Sequence, residues 1–129
     1  HVLSRERKRT ALEATVEING KNLHIFSTHL VYALTQSSEI QITQAQNLLK
    51  VLPKENGLVM GNFNVTPDNK IINDIESIMV NTEGDQTKYT ADGKKMDYIF
   101  STRDIKILSS GTIDSQASDH LPIYAIIEI

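Results

Sequence analysis

The chain lacks cysteine and tryptophan, and it has no long apolar run. Without cysteine among its 129 residues, it has no disulfide, thiolate metal site or cysteine nucleophile, and its redox compartment stays undetermined. No apolar stretch approaches the roughly 20 residues needed to span a bilayer. No signal-like segment is present, yet the chain begins at His1 rather than methionine, which is compatible with a piece of a longer protein. Localisation therefore stays open.

Positive charge is also scarce. The net charge is -3, the pI is near 5.8 and aromatics make up 5%, so there is no general electrostatic footprint for a nucleic-acid backbone. The only basic cluster is Arg5, Arg7, Lys8 and Arg9. Glu6 interrupts it, and we interpret it as a solvated edge or a frayed end. With 40% hydrophobic residues, residues 1–129 can build one domain.

Period-two alternation predicts a strand near the N-terminus. Apolar residues at even positions from Leu12 to Ile18 alternate with polar ones, which is typical of a strand with one buried face. Asn19-Gly20 tolerates the positive φ values of a type I′ turn, so a hairpin should return through Leu23 to His29.

Two amphipathic helices are predicted. Ser38 and Gln41 form a capping box, and apolar residues then recur at helical spacing from Ile42 until Pro53. In the second helix, Thr66 and Pro67 suit the N-cap and first helical positions, and Ile71, Ile72, Ile75, Ile78 and Met79 form its apolar stripe.

Short strand patterns account for most of the remainder. A buried strand at 58–60 precedes Asn62, and further strands are expected at 96–101, 105–108 and 121–129. The polar segment 81–95 is a predicted loop, broken at most by a short strand near Lys88-Tyr89. Both faces of the last strand are apolar, which favours a central position. Together these elements predict a layered α/β (α+β) fold, a mixed sheet with helices on one face.

Four polar signatures stand at strand ends: Ser27-Thr28-His29-Leu30, Gly61-Asn62-Phe63-Asn64, Met96-Asp97-Tyr98-Ile99 and Ser118-Asp119-His120. Each has an ordinary structural explanation, such as a histidine bonded to a nearby carbonyl, an asparagine-rich turn before a helix, or an aspartate capping backbone amides.

Asp97 is harder to explain as structure alone. It lies inside an apolar strand, where an unpaired carboxylate is costly, and a histidine is its natural partner. If Asp97 bonds one ring nitrogen of His120, it fixes the tautomer and supports an imidazolium. Asp119 can hold a hard divalent cation.

In order, spacing and strand-end placement, these signatures resemble the C-terminal half of the endonuclease/exonuclease/phosphatase superfamily of metal-dependent phosphoesterases. They match its Thr-His-Leu, Gly-Asp-Phe-Asn, Asp-Tyr-Ile-Phe and Ser-Asp-His-x-Pro motifs, and the resemblance runs from Leu12 to Ile129. The resemblance implies one mostly antiparallel sheet with helices on its outer face, half of a four-layered α/β/β/α sandwich.

The resemblance also implies roles for the site residues. His29 would contact the scissile phosphate, and Asn64 would orient phosphate or the attacking water. Asp119 would help to hold Mg²⁺ (or Mn²⁺), while Asp97 and His120 would stabilise the charged transition state.

Asn62 departs from the family pattern. It stands where the family has the aspartate that positions or deprotonates the nucleophilic water, and an amide cannot accept that proton. Loss of a general base costs about 10²- to 10⁴-fold in rate, so we expect the chain to be nearly inactive. Two explanations of Asn62 stay open: the native protein has an asparagine there, or an aspartate has been replaced.

Length is the second departure. In the family the other half of the sandwich completes the metal site with an asparagine and a glutamate, which this chain does not supply. An inner apolar face would be left bare, and either that N-terminal half or a second copy of the chain would have to cover it.

Two functions remain in view. One is the C-terminal portion of a phosphoesterase acting on phosphodiesters or phosphomonoesters, with a small molecule or lipid headgroup slightly preferred to nucleic acid. The other is a catalytically silent module that binds a phosphorylated ligand or assembles with a partner.

Overall fold

The computed structural model describes residues 1–5, 7–33, 38–83 and 89–129. In chain order the elements are β1 (Val2–Ser4), β2 (Arg9–Ile18), β3 (Lys21–His29), α1 (Glu39–Val51), β4 (Gly57–Asn62), α2 (Lys70–Glu76), β5 (Val80–Asn81), β6 (Asp97–Ser101), β7 (Lys106–Thr112) and β8 (Ile123–Glu128). None of the helices in these ranges is long and apolar enough to cross a membrane.

Six strands form one sheet in the order β1-β2-β3-β4-β6-β5. Within it β3 and β4 are parallel and the other pairs are antiparallel, which confirms the predicted mixed, mostly antiparallel sheet. β7 and β8 pair with each other as a second, two-stranded sheet, so the predicted strands near 105–108 and 121–129 lie outside the six-stranded sheet.

Both helices pack on the same face of the six-stranded sheet. Residues of β3, β4 and β6 that share this face meet the apolar stripes of α1 and α2 in one core: Phe26, Val59, Tyr98 and Phe100 from the strands, with Ala45, Leu48, Ile71, Ile72 and Ile75 from the helices. This face is sealed, as the amphipathic helix patterns predict.

The two-stranded sheet covers part of the opposite face. Ile127 of β8 packs with Leu23 of β3 and Leu58 of β4, while the alternate residue Ile126 is 52% exposed. In the described part of the chain β8 pairs only with β7, so the predicted central position for the last strand is wrong. Its outer face carries Tyr124 and Ile126, which no described residue covers.

The part of that face formed by β2 is bare among the described residues. Leu12 is 72% exposed, Val16 40% and Ile18 37%, so the prediction that this face of β2 is buried is wrong. The alternation correctly predicted the strand, but no second layer reaches β2 within the described residues. The predicted bare inner face is therefore confirmed for β2 and wrong for β3 and β4.

The predicted hairpin is confirmed. Strands β2 and β3 pair from Ala11 opposite Thr28 to Ile18 opposite Lys21, and the turn residues Asn19 and Gly20 have φ values of 53° and 75°. Both values are positive, as a type I′ turn requires.

Ser38 is the N-cap of α1, as predicted, and its hydroxyl accepts a hydrogen bond from Gln41 N. The stripe differs from prediction, because Ile42 is exposed whereas Gln41 and Gln44 are buried. Their amide groups bond to the backbone of Val31, so they satisfy polar groups inside the core.

The predicted start of the second helix is wrong. Thr66 accepts a bond from Asn69 N in a turn, and Asn69 is the N-cap of α2, its side chain accepting from Ile71 N. Ile78 and Met79 both lie beyond the end of the helix. Ile78 is exposed, whereas Met79 is buried, as is Ile75 within the helix.

Two further details concern the basic cluster and the predicted loop. The basic cluster is a solvated edge rather than a frayed end, because Val2–Ser4 pairs with β2 at the edge of the sheet, Leu3 is buried, and Arg7 and Lys8 are exposed. In the predicted loop, Lys88 lies outside the described residues, Tyr89 is not in a strand, and a bridge joins Ala91 to Lys94.

Candidate active site

Three neighbouring strands end side by side on the face away from the helices. His29 of β3 lies opposite Asn62 of β4, and Asn62 lies opposite Asp97 of β6. Residues directly opposite on adjacent strands share a face, and in an antiparallel pair such as Asn62 and Asp97 their Cβ atoms lie about 4.5–5.5 Å apart. The sheet register therefore places an imidazole, an amide and a carboxylate in one row.

His120 completes this row from a different part of the chain. Its Nδ1 lies 2.7 Å from Asp97 Oδ2, and its backbone N–H donates to Ser118 Oγ at 3.1 Å. The Asp97 side chain is 16% exposed and that of His120 is 32% exposed. The predicted partnership is present, and it turns Nε2 of His120 away from the carboxylate.

The two asparagines play different structural parts. Asn62 Oδ1 accepts from Asn64 N at 2.8 Å, and Asn62 Nδ2 is 3.5 Å from His29 Nε2. Asn64 has a φ of 54°, and its Nδ2 donates to Leu30 O at 2.9 Å. Asn64 thus closes the turn after β4, while Asn62 presents its amide to His29.

The charge environment favours a neutral His29. Burial lowers the pKa of His29 below its usual 6.5, and the Arg9 cation and His120 lower it further, against the opposing effect of the Asp97 carboxylate. A neutral imidazole retains one nitrogen as an acceptor, toward which Asn62 can donate.

Asp119, the predicted metal ligand, is less connected. It is exposed, and its carboxylate accepts a hydrogen bond from Ser118 Oγ at 3.3 Å. The described residues contain no group of three or more His, Cys, Asp or Glu side chains that could hold a metal ion. One carboxylate is a partial ligand set for Mg²⁺, which needs six oxygens, so these residues do not make a complete magnesium site.

A small cavity opens beside the row. Its volume is about 200 Å³, and Tyr32, Asn64, Lys94 and His120 contribute to its lining. A larger depression of about 610 Å³ lies between β1 and α1, and none of the predicted site residues lines it. The small cavity is therefore the one that adjoins the predicted site residues.

Some supporting residues were not predicted from the sequence. The segment after His29 is held by α1, because Val31 N donates to Gln44 Oε1 at 2.9 Å and Gln41 Nε2 donates to Val31 O at 2.7 Å. The position of these glutamines among apolar residues of the helix is a usable signal, but helical periodicity by itself does not separate a buried glutamine from an exposed one.

A buried ion pair also supports the row. Lys95 and Glu83 are 2% and 5% exposed at their side chains, and Lys95 Nζ lies 4.8 Å from the centre of the Tyr98 ring. Tyr98 in turn donates to Val65 O at 2.8 Å. This packing fixes β6 at the point where Asp97 begins it.

Comparison with known proteins identifies the class. The model of the endonuclease/exonuclease/phosphatase family matches residues 3–120, so the chain belongs to this family, and the match begins before the Leu12 at which the motif resemblance starts. Family members hydrolyse phosphoester bonds. No curated protein sequence matches the chain.

Solved structures share the fold. An endonuclease/exonuclease/phosphatase from Beutenbergia cavernae is 17% identical with a TM-score of 0.82, covering 99% of this chain and 43% of its own. A Bacteroides vulgatus family member is 20% identical with a TM-score of 0.77, covering 95% and 56%. The human nocturnin catalytic domain with bound sulfate is 21% identical with a TM-score of 0.74, covering 93% and 53%. The chain thus spans about half the length of these structures.

Proposed function

We propose that the chain contributes the phosphate-facing groups of a metal-dependent phosphoesterase that hydrolyses phosphodiesters or phosphomonoesters. The observation that supports this most is the row of His29, Asn62 and Asp97 on three adjacent strands, with His120 bonded to Asp97. Two imidazoles in one row, of which His120 lines the small cavity, suit a substrate whose non-bridging oxygens gain charge in the transition state.

Each group has a distinct part in the proposed reaction. Asp97 accepts a hydrogen bond from Nδ1 of His120 and so holds the ring; as an imidazolium, His120 then also directs an Nε2–H toward a phosphate oxygen. His29 bonds the phosphate or the water from the other side. Asn62 can orient that water but cannot take its proton, so hydrolysis should run about 10²- to 10⁴-fold below that of a chain with an aspartate there.

The proposed cofactor is Mg²⁺ or Mn²⁺, with Asp119 as this chain's ligand. When bound, such a cation neutralises charge on the phosphate and acts as a Lewis acid. The remaining ligands would have to come from outside the described residues, since those residues supply an incomplete set.

Restoring the base tests the proposal. Asn62→Asp should raise hydrolysis of bis(p-nitrophenyl) phosphate or p-nitrophenyl phosphate by about 10²- to 10⁴-fold in Mg²⁺, measured with and without the N-terminal half of a family sandwich supplied in trans. Asn22→Asp is the matched control, because it adds the same charge at the other end of β3. No gain over the unmodified chain would argue against hydrolysis.

A silent binding module is the second candidate. Asn62 and the incomplete metal ligand set favour it for the isolated chain. It predicts that inorganic phosphate binds, as measured by calorimetry, and that His120→Ala abolishes that binding while Asn62→Asp leaves turnover undetectable. Binding without any rescue of turnover would support this function over the first.

The substrate is proposed to be a small phosphoester or a lipid headgroup rather than nucleic acid. A cavity of about 200 Å³ and a net charge of -3 support this choice. Nucleic-acid binding would show a steep fall in affinity with salt, by about 10³- to 10⁵-fold between 50 and 200 mM for a protein making several phosphate contacts. A shallow salt dependence is expected here.

The bare face of β2 is proposed to receive a partner: the N-terminal half of the same fold or a second copy of the chain. Leu12 and Val16 are exposed on β2, and Ile126 is exposed on β8. In the described residues β8 also has an unpaired edge. Sedimentation should show self-association, or complex formation with that half. A dilute monomer that binds no hydrophobic dye would contradict this.

A further inference from the structure

Thr90 connects the two chain segments that carry the Asp97–His120 pair. It is 2% exposed and lies in the loop before β6. Its Oγ1 accepts from Met96 N at 2.9 Å and from Asp97 N at 3.2 Å. Its backbone oxygen accepts from Leu121 N at 2.8 Å. One residue thus bonds Asp97 itself and the residue that follows His120.

Among the described residues, the Asp97–His120 hydrogen bond is the one direct side-chain hydrogen bond between the two segments. Asp97 begins β6, whereas His120 precedes β8, and these strands belong to different sheets. The hydrogen bond between the Asp97 and His120 side chains joins groups 23 residues apart. A hydrogen bond forms only when the donor–acceptor distance lies within a few tenths of an ångström of its optimum. The backbones of both segments must therefore be held in place by contacts other than this bond.

The loop around Thr90 is itself closed. Thr90 N donates to Lys94 O at 2.9 Å, and Ala91 bridges to Lys94, so residues 90–94 return on themselves before β6 begins. This closure presents the Thr90 hydroxyl to Met96 and Asp97 from one side and its carbonyl to Leu121 from the other.

We propose that Thr90 is a positioning residue for the Asp97–His120 pair. Its effect on catalysis rests on the proposed function, whereas its effect on the Asp97–His120 hydrogen bond does not. It acts through two backbone segments and does not touch substrate. Its hydroxyl sets where Asp97 starts, and its carbonyl sets where the chain after His120 passes.

The first test is independent of activity. With histidine labelled in ¹⁵N, the Nδ1–H of His120 should give a low-field proton resonance in the unmodified chain and in Thr90→Ser, and lose it in Thr90→Val. Thr82→Val is the matched control, because Thr82 is also buried but its hydroxyl has no hydrogen-bond partner in the described residues. It should keep the resonance.

A second measurement needs no variant. In the unmodified chain the amide hydrogens of Asp97 and Leu121 should exchange at least 10-fold more slowly than that of Ala117, whose N–H donates to an exposed serine hydroxyl. This keeps the proposal testable if Thr90→Val does not fold. Exchange of Leu121 as fast as that of Ala117 would overturn it.

Activity supplies the third test. On the Asn62→Asp background, Thr90→Val should lower kcat about 10-fold with KM nearly unchanged, and Thr90→Ser should restore kcat. Unchanged kcat together with a retained His120 resonance in Thr90→Val would overturn the proposal. An inactive Asn62→Asp parent instead contradicts the proposed function, and leaves the resonance and exchange results to decide on Thr90.

Discussion

The two faces of the six-stranded sheet are built by alternate residues of the same strands, yet they differ in cover. Val59 on the helix face is fully buried, whereas Val16 on the opposite face is 40% exposed. Both are valines within predicted strands. The difference shows that an alternating apolar pattern identifies a strand face suited to burial. Whether another layer covers that face depends on residues elsewhere in the sequence.

The largest contrast between the faces should come from truncating one side chain on each. Phe100→Ala removes a fully buried ring and should lower the free energy of unfolding by about 3–5 kcal/mol. Leu12→Ala on the open face should change it by less than about 0.5 kcal/mol. Urea unfolding measures both, and equal losses would mean that the open face is covered in solution.

Gly61 tests how tightly the strands are joined at the site. Its φ is 143°, and a Cβ there would clash with Thr28 O. Gly61→Ala should therefore cost at least about 1–3 kcal/mol in backbone strain alone. Gly20→Ala is the control, with φ of 75° but open space around it. Similar losses for the two variants would show that the close approach to β3 does not matter.

Charging the open face should change association more than stability. Leu12→Lys is expected to alter the free energy of unfolding by less than about 0.5 kcal/mol, because the side chain is exposed. If this face self-associates, the sedimentation coefficient should fall to that of a monomer. Retained association would place the contact elsewhere.

The smallest effect concerns the pH response of His29. Because its pKa is lowered in the folded chain, its contribution to stability is complete above pH 6.5 and is lost as the pH falls through the folded value. NMR titration should give a midpoint below 6.5. Arg9→Gln should raise that midpoint, and Lys54→Gln should leave it unchanged. A midpoint that does not respond to Arg9→Gln would remove the proposed cationic contribution.

Local signals in the sequence predicted local structure well. The Asn19-Gly20 turn and the Ser38 cap depend on residues within a few positions, and both are confirmed. The partner of Asp97 was also predictable, because a carboxylate in an apolar strand needs one and His120 was available. Chemistry limited that choice even though the two residues are distant in sequence.

Features that depend on distant packing were not predictable in the same way. Gln44 is buried because Val31 N requires an acceptor, a need that exists only once β3 and α1 are docked. The last strand is apolar on both faces, but within the described ranges it pairs with β7 and packs over the other sheet, an arrangement that its own residues do not determine. No pattern in the sequence marks Thr90 as the residue that joins these two segments.

The parallel pairing of β3 with β4 has a consequence for folding. The β2–β3 hairpin closes through a two-residue turn, and hairpins form in about 1–10 μs. His29 and Asn62, by contrast, are 33 residues apart and meet only after α1 has crossed between their strands. Because non-local contacts form late, we expect the row of polar groups to be assembled last, so that chains arrested early would be structured but without a site.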